Sequence, residues 1–327
     1  MDIVGTGLQR SLQDIAITPY QDRLPWLGGD LQTLRNSFKR PPAPLVPDER
    51  MLAPIDVGAI NLAVNRPPGP TDRALVLVHG LGGSEASIYM GDAARHFLAR
   101  GFRVFRMNYR GVGPSAETSE PPYSAGLTSD LRAVLRRVRR AMPGAAIYIM
   151  GFSLGGQLSL RMMGEGDVPP DVKACVTVSA PLDLATSQRQ LARRRNRLYS
   201  NYVVSNMQTD LRAVAHPKVS ADPLRLRTIW DFDQQIIAPV FGFKGAADYY
   251  ERVSCYPLLS RIDVPTLAIH AADDPWIPAE EYRTAAWPTD SPAGALITPG
   301  GGHVGFHAKN IGAPWHLHAA VEFFAKF

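Results

Sequence analysis

Short apolar runs dominate the middle of this chain. Ala74-Leu75-Val76-Leu77-Val78, Arg103-Val104-Phe105-Arg106-Met107-Asn108, Ala146-Ile147-Tyr148-Ile149-Met150 and Ala174-Cys175-Val176-Thr177-Val178 show little of the in-out alternation of a half-exposed strand. Strands of a parallel sheet read this way because helices cover both faces and neither meets water. Between them, helices are predicted near 86–100 and 127–141. The second carries Leu131, Val134, Leu135 and Val138 at i, i+3, i+4, i+7, with Arg132, Arg136, Arg137, Arg139 and Arg140 off that stripe. Those arginines read as a solvated face rather than a phosphate-binding patch. Upstream, Arg50-Met51-Leu52-Ala53-Pro54 and the alternating Ala59-Ile60-Asn61-Leu62-Ala63-Val64 predict antiparallel strands at a sheet edge. Downstream, Thr266-Leu267-Ala268-Ile269-His270 and Ala295-Leu296-Ile297-Thr298 predict two more strands, and a helix near 314–325 closes the chain. The fold class expected is α/β, with a mostly parallel twisted sheet of about eight strands and helices on both faces.

This rhythm divides the chain. Residues 1–48 end in Arg40-Pro41-Pro42-Ala43-Pro44-Leu45-Val46-Pro47 and are expected to wrap the surface in extended form. Residues 49–182 and 257–327 are expected to form the core. The stretch 183–256 breaks the β/α pattern but holds Tyr199, Tyr202, Trp230, Phe232, Phe241, Phe243, Tyr249 and Tyr250, too many aromatics for a linker. It predicts a helical insertion, either a cap over the site or a cover for sheet surface.

Composition narrows the function. With 35 Lys+Arg against 30 Asp+Glu, the net charge of +5 is a mild excess spread along 327 residues, and no nucleic-acid partner is expected. The run Arg193-Arg194-Arg195-Asn196-Arg197 in the insertion suggests peripheral contact with anionic membrane surfaces. Two cysteines, Cys175 and Cys255, make neither a disulfide framework nor a metal site, so no metal and no cofactor are expected. The N-terminus lacks a basic-then-apolar leader and no run is long enough to span a bilayer, so the default expectation is a cytoplasmic protein.

The candidate chemistry lies in Gly151-Phe152-Ser153-Leu154-Gly155, a G-x-S-x-G sequence between a predicted strand and a predicted helix start. Strand, sharp turn and helix form a nucleophile elbow, with glycine on both sides because a flanking Cβ would collide with the turning chain. A serine hydroxyl needs a base to take its proton and a carboxylate to orient that base. Both follow later strands in the order Ser, Asp, His. Asp274, just before Pro275-Trp276-Ile277-Pro278, is preferred to Asp273 as the acid. His303, after three glycines, is preferred as the base to His307 in the outgoing segment, while His79, His270 and His316 read as structural. An oxyanion hole needs two backbone N–H groups, and those of Leu154 and Leu81 are the candidates. His79, Gly80, Gly82, Gly151 and Gly155 form the supporting turns. The turn at His79-Gly80-Leu81-Gly82-Gly83 lacks the features of a phosphate-binding loop.

These residues resemble the α/β-hydrolase superfamily, and in detail its YheT-like branch, related to eukaryotic membrane-associated lipases and yeast medium-chain ethyl ester synthases. The phrases that carry the likeness are Leu31-Gln32-Thr33-Leu34, Val78-His79-Gly80-Leu81-Gly82-Gly83, Asn108-Tyr109-Arg110-Gly111, Gly151 to Gly156, Val178-Ser179-Ala180-Pro181, Phe232-Asp233, Ala247-Asp248-Tyr249-Tyr250, Ile269 to Pro275 and Gly301-Gly302-His303-Val304-Gly305-Phe306. The resemblance implies an α/β-hydrolase fold with Ser153, Asp274 and His303 as charge-relay residues. Asp30 stands where the family usually has histidine, and Val112-Gly113 where it tends to have cysteine and serine. The function expected is a serine hydrolase cleaving short- to medium-chain acyl esters or lipids through an acyl-enzyme. Acyl transfer to an alcohol on the same triad, or a catalytically silent binding protein of this fold, are the alternatives.

Overall fold

The computed structural model of the chain describes residues 1–38, 43–120, 122–212 and 221–327. Pro41 and Pro42 of the proline-rich stretch lie outside the described residues. In chain order the elements are β1 (Asp2–Val4), α1 (Thr6–Leu12), α2 (Gly29–Phe38), β2 (Glu49–Ile55), β3 (Gly58–Asn65), β4 (Arg73–Val78), α3 (Ile88–Leu98), β5 (Arg103–Met107), α4 (Thr128–Ala141), β6 (Ala146–Phe152), α5 (Leu154–Glu165) and β7 (Val172–Val178). Then come α6 (Leu184–Leu191), α7 (Arg197–Arg212), α8 (Ile229–Phe232), a π-helical turn (Asp233–Ile237), α9 (Ala238–Phe241), α10 (Ala246–Val253), β8 (Thr266–Ala271), α11 (Glu280–Thr284), β9 (Ala293–Thr298) and α12 (Trp315–Phe324).

The strands form one sheet of nine in the order β1-β9-β8-β7-β6-β4-β5-β3-β2. Strands β4 to β9 pair in parallel, while β2 and β3 at one edge and β1 at the other are antiparallel. The edge position of β2 tolerates Pro54, which has no ladder donor to offer. Along β4, Val76 and Val78 enter one core while Leu75 and Leu77 enter another on the opposite face. The first core receives Leu131, Val134, Leu135 and Val138 of α4, leaving Arg136, Arg139 and Arg140 facing outward. The second receives Phe97 of α3 and Leu317 and Phe324 of α12. Parallel strands read as continuous apolar runs here because both faces are filled.

The mostly parallel sheet expected is present, and Asp2, Ile3 and Val4 bring it to nine strands by pairing with Ile297, Leu296 and Ala295. Three residues are too short to show a period. Residues 1–48, by contrast, are not simply extended, since α1 and α2 lie within them. Leu8 and Leu12 of α1 pack into the second core, so tertiary burial forms a helix whose sequence carries little signal. Between β7 and β8 the helices gather around a third apolar cluster that includes Leu184, Val203, Met207, Phe232, Ile236 and Tyr249, against which Leu81 and Leu154 pack. Among the described residues no helix is long and apolar enough to cross a membrane.

Candidate active site

Ser153 follows β6 directly and caps α5 with φ 50° and ψ −120°. A non-glycine residue there costs on the order of 1–3 kcal/mol unless its surroundings impose it. They do: its N–H donates to the Val178 carbonyl at 2.8 Å, and its own carbonyl accepts from Gln157 at 3.0 Å. The flanking glycines are set by contact. A Cβ on Gly155 would lie 2.4 Å from the Val78 carbonyl oxygen, and one on Gly151 would lie 2.4 Å from that of Gly155.

His303 comes from the loop after β9 and Asp274 from the loop after β8, so both stand at the carboxyl edge of the sheet beside Ser153. The Ser153 Oγ lies 3.0 Å from His303 Nε2, and His303 Nδ1 lies 2.9 Å from Asp274 Oδ2. Because an ionised carboxylate only accepts, Nδ1 of a neutral ring carries the proton and Nε2 is left to accept from Ser153. The Asp274 side chain is wholly buried, and its other oxygen accepts from the Trp276 and Ile277 amides at 2.8 and 3.1 Å. Burial alone would raise its pKa, but the charge and hydrogen bond of His303, joined by His270 and the Trp276 amide, hold it below the ordinary value. The Trp276 indole stacks on the His303 ring with centroids 4.1 Å apart.

The alternatives take other roles. Asp273 accepts from the Gly302 amide at 2.9 Å and so holds the loop before His303. His307 stands 3.4 Å from Arg35. His79 is buried, its Nδ1 on the Gly80 carbonyl at 2.8 Å and its Nε2 accepting from the Tyr109 amide at 3.3 Å, and burial pulls its pKa down to about 4. It therefore supports the Gly80 turn as a neutral ring. Burial likewise lowers His270 to about 4 and His316 to about 3.

In the turn after β4, Gly80 N–H donates to Tyr89 at 3.0 Å, Gly82 N–H to Tyr123 at 3.1 Å and Gly83 N–H to the Gly80 carbonyl at 3.1 Å. Among the described residues, nothing accepts from the Leu81 amide between them. Leu154 opens α5, where the first N–H groups have no partner inside the helix. Both amides are thus unspent donors flanking Ser153, and Leu81, Leu154, Ser153 and His303 line one cavity of about 670 Å³. Leu184, Val203, Met207 and Ile237 supply apolar wall from the stretch between β7 and β8.

The family profile of the α/β-hydrolase fold matches residues 73–309. The chain belongs to this family. Two relatives narrow its place in it. YheT of Escherichia coli strain K12, whose own esterase assignment is provisional, is 32% identical over 84% of this hydrolase and 83% of its own length. A Saccharomyces cerevisiae protein named monoacylglycerol lipase is 28% identical over 77% of this chain, which spans 59% of that protein. This α/β-hydrolase therefore groups with the YheT-like esterases. A solved structure, the Pyrococcus furiosus esterase Pf2001, superposes with a TM-score of 0.54 at 15% identity, covering 88% of this chain and 99% of that one, and shows the fold alone.

The departures from the family pattern take definite places in this hydrolase. Val112 lines the cavity. Asp30 accepts from the Tyr199 hydroxyl at 3.0 Å and pairs with Arg195 at 2.9 Å, tying α2 to α7 and the turn before it. Arg193, Arg194 and Arg197 face outward. Sequence reasoning missed the bracing by α2. Thr33 Oγ1 accepts from the His303 amide at 2.8 Å, and Gln32 takes the His307 amide and carbonyl at 2.7 and 3.1 Å. The Leu31-Gln32-Thr33 phrase was the available signal, but inward-facing polar side chains leave no apolar stripe to read. Trp276 was likewise visible only as part of the phrase after Asp274.

Proposed function

We propose that this protein is a serine esterase in which Ser153, His303 and Asp274 act as a charge relay on carboxylic esters of short to medium acyl length. Ser153 Oγ attacks the ester carbonyl while its proton passes to His303 Nε2, and Asp274 steadies the imidazolium. The Leu81 and Leu154 amides stabilise the oxyanion. Collapse of the tetrahedral adduct breaks the bond to the alcohol, which leaves with the proton from His303. Water, deprotonated by His303, then attacks the acyl-Ser153 ester, and the second collapse releases the acid and restores the Ser153 hydroxyl. The stretch between β7 and β8 acts as a cap that gives the acyl chain its apolar wall.

The observation that carries this reading is the unbroken hydrogen-bonded line from Ser153 through His303 to a buried Asp274, at 3.0 and 2.9 Å. A fluorophosphonate probe is expected to label Ser153. In Ser153→Ala, labelling and p-nitrophenyl ester turnover are expected to vanish, with kcat down by about 10⁶. An unlabelled Ser153 in folded protein, with turnover equal to that of the alanine variant, would sink the proposal.

A further inference from the structure

The apolar cavity contains two carboxyl groups that the hydrolytic steps do not use. Asp233 opens the π-helical turn, a local geometry that recurs at functional sites, and its side chain lines the cavity although the residue is 6% exposed. Its Oδ2 accepts from the Tyr250 hydroxyl at 2.5 Å, and among the described residues nothing donates to its Oδ1. Asp210, near the end of α7, lines the same cavity, and its Oδ2 is shut off from solvent with no hydrogen-bond partner among the described residues. Burial raises Asp210 to about 6 and Asp233 to about 7, the latter against the lowering effect of Tyr250. At physiological pH Asp210 is therefore mostly the carboxylate, while Asp233 is divided between its acid and carboxylate forms.

Among the described residues no unpaired lysine or arginine lines the cavity. Arg110 is the one arginine or lysine among the described lining residues, and its charge is already paired, with Nε and Nη2 on Asp130 at 2.8 and 2.5 Å and Nη2 also on Asp56 at 2.9 Å. The charges of both carboxyls are also felt at the turn beside Ser153. Tyr123, whose hydroxyl holds the amide next to Leu81, is kept protonated first by burial and then by the charge of Asp210, with Asp233 contributing. A buried polar oxygen without a partner is costly, and a ligand group that satisfies it is favoured by the same amount. A hydroxyl fits, because it can donate to a carboxylate and accept from a carboxylic acid. A phosphate or further carboxylate fits less well, since it brings like charge against Asp210 and Asp233.

We propose that Asp210 and Asp233 form a hydrogen-bonding subsite for free hydroxyl groups of the substrate, so that this hydrolase prefers esters bearing hydroxyls on the alcohol or acyl portion. The inference rests on the esterase reading above. To test it, kcat/KM is measured for glyceryl monooctanoate, methyl hydroxyoctanoate and methyl octanoate. These separate alcohol-side hydroxyls from acyl-side ones and from none. One hydroxylated ester is expected to exceed methyl octanoate by about ten-fold or more, mainly through KM, because a site built for a hydroxyl rejects the analogue lacking it. In Asp233→Leu and Asp210→Leu, with Ser153 still labelled by fluorophosphonate, that ratio is expected to fall at least about five-fold by the same reasoning. If neither variant labels, glyceryl octyl ether is expected to bind Ser153→Ala about ten-fold tighter than methyl octyl ether does, again from the unpaired hydroxyl partner. Equal values for the three esters, a ratio unchanged in labelled variants, equal binding of the two ethers or a preference for octanoylcholine would overturn the subsite. Labelled Ser153 with methyl octanoate turnover separates that result from failure of the esterase reading, in which neither labelling nor turnover is seen.

Discussion

Thr33 illustrates how one polar side chain of the N-terminal segment reaches the candidate chemistry. Its Oγ1 donates to the Gly29 carbonyl at 2.6 Å while accepting from the His303 amide. The glycines around His303 are explained by the same contact. A Cβ on Gly302 would meet the Gly29 carbonyl oxygen at 2.3 Å, and one on Gly305 would meet that of Gln32 at 2.5 Å. They admit α2 rather than merely loosening the loop. Thr33→Val keeps the shape and orphans the His303 amide, at a cost of about 1–3 kcal/mol. Slower ester turnover and slower fluorophosphonate labelling of Ser153 are expected, with Thr33→Ser restoring both. Equal labelling rates for valine and wild type would remove Thr33 from the site.

At the scale of elements, Arg110 after β5 and Asp130 in the first turn of α4 form a buried bidentate pair, with side chains 5% and 2% exposed. Asp130 also lies where the α4 dipole favours negative charge. Asp130→Asn leaves a buried guanidinium with the exposed Asp56 as its remaining carboxylate partner, so urea melts are expected to show a loss of about 3–5 kcal/mol. The double variant Arg110→Met, Asp130→Leu is expected to lose less, because no charge is stranded. A single variant as stable as wild type would contradict this account. The pair was not legible in the sequence: Arg110 and Asp130 are twenty residues apart and belong to no shared period.

For the whole molecule, buried titratable groups set the response to pH. Burial lowers His79 and His270 to about 4 and His96 and His316 to about 3. Between those values and the ordinary 6.5 the unfolded chain binds more protons, so stability is present above 6.5 and lost as pH falls. Asp210, Asp233 and Glu281 oppose this, since their raised values of about 6, 7 and 7 favour folding at low pH and lose that advantage as pH rises. Four histidines against three carboxyls leave a net loss on acidification, and thermal melts at pH 5 are expected below those at pH 7. Glu281, whose Oε2 accepts from the Leu182 and Asp183 amides at 3.1 Å each, permits a separate check. Glu281→Gln removes one opposing group while keeping an acceptor, so the gap between the two melts is expected to widen. A narrower gap would show that the sign is wrong.

The sequence by itself determined the parallel core, because strands buried on both faces must be apolar throughout, and the elbow, because Gly151 and Gly155 occupy space that a Cβ cannot. The order of Ser153, Asp274 and His303 after β6, β8 and β9 was legible for the same local reason, each following an apolar run. The phrase after Asp274 already favoured it over Asp273, but only the tertiary structure decided their directions, turning Asp274 to His303 and Asp273 to the Gly302 amide. It likewise set α2 against the His303 loop, Trp276 over the imidazole, and Asp210 and Asp233 in the cavity. Those contacts join polar or aromatic residues far apart in the chain, and geometry after folding makes them, not any periodicity along it.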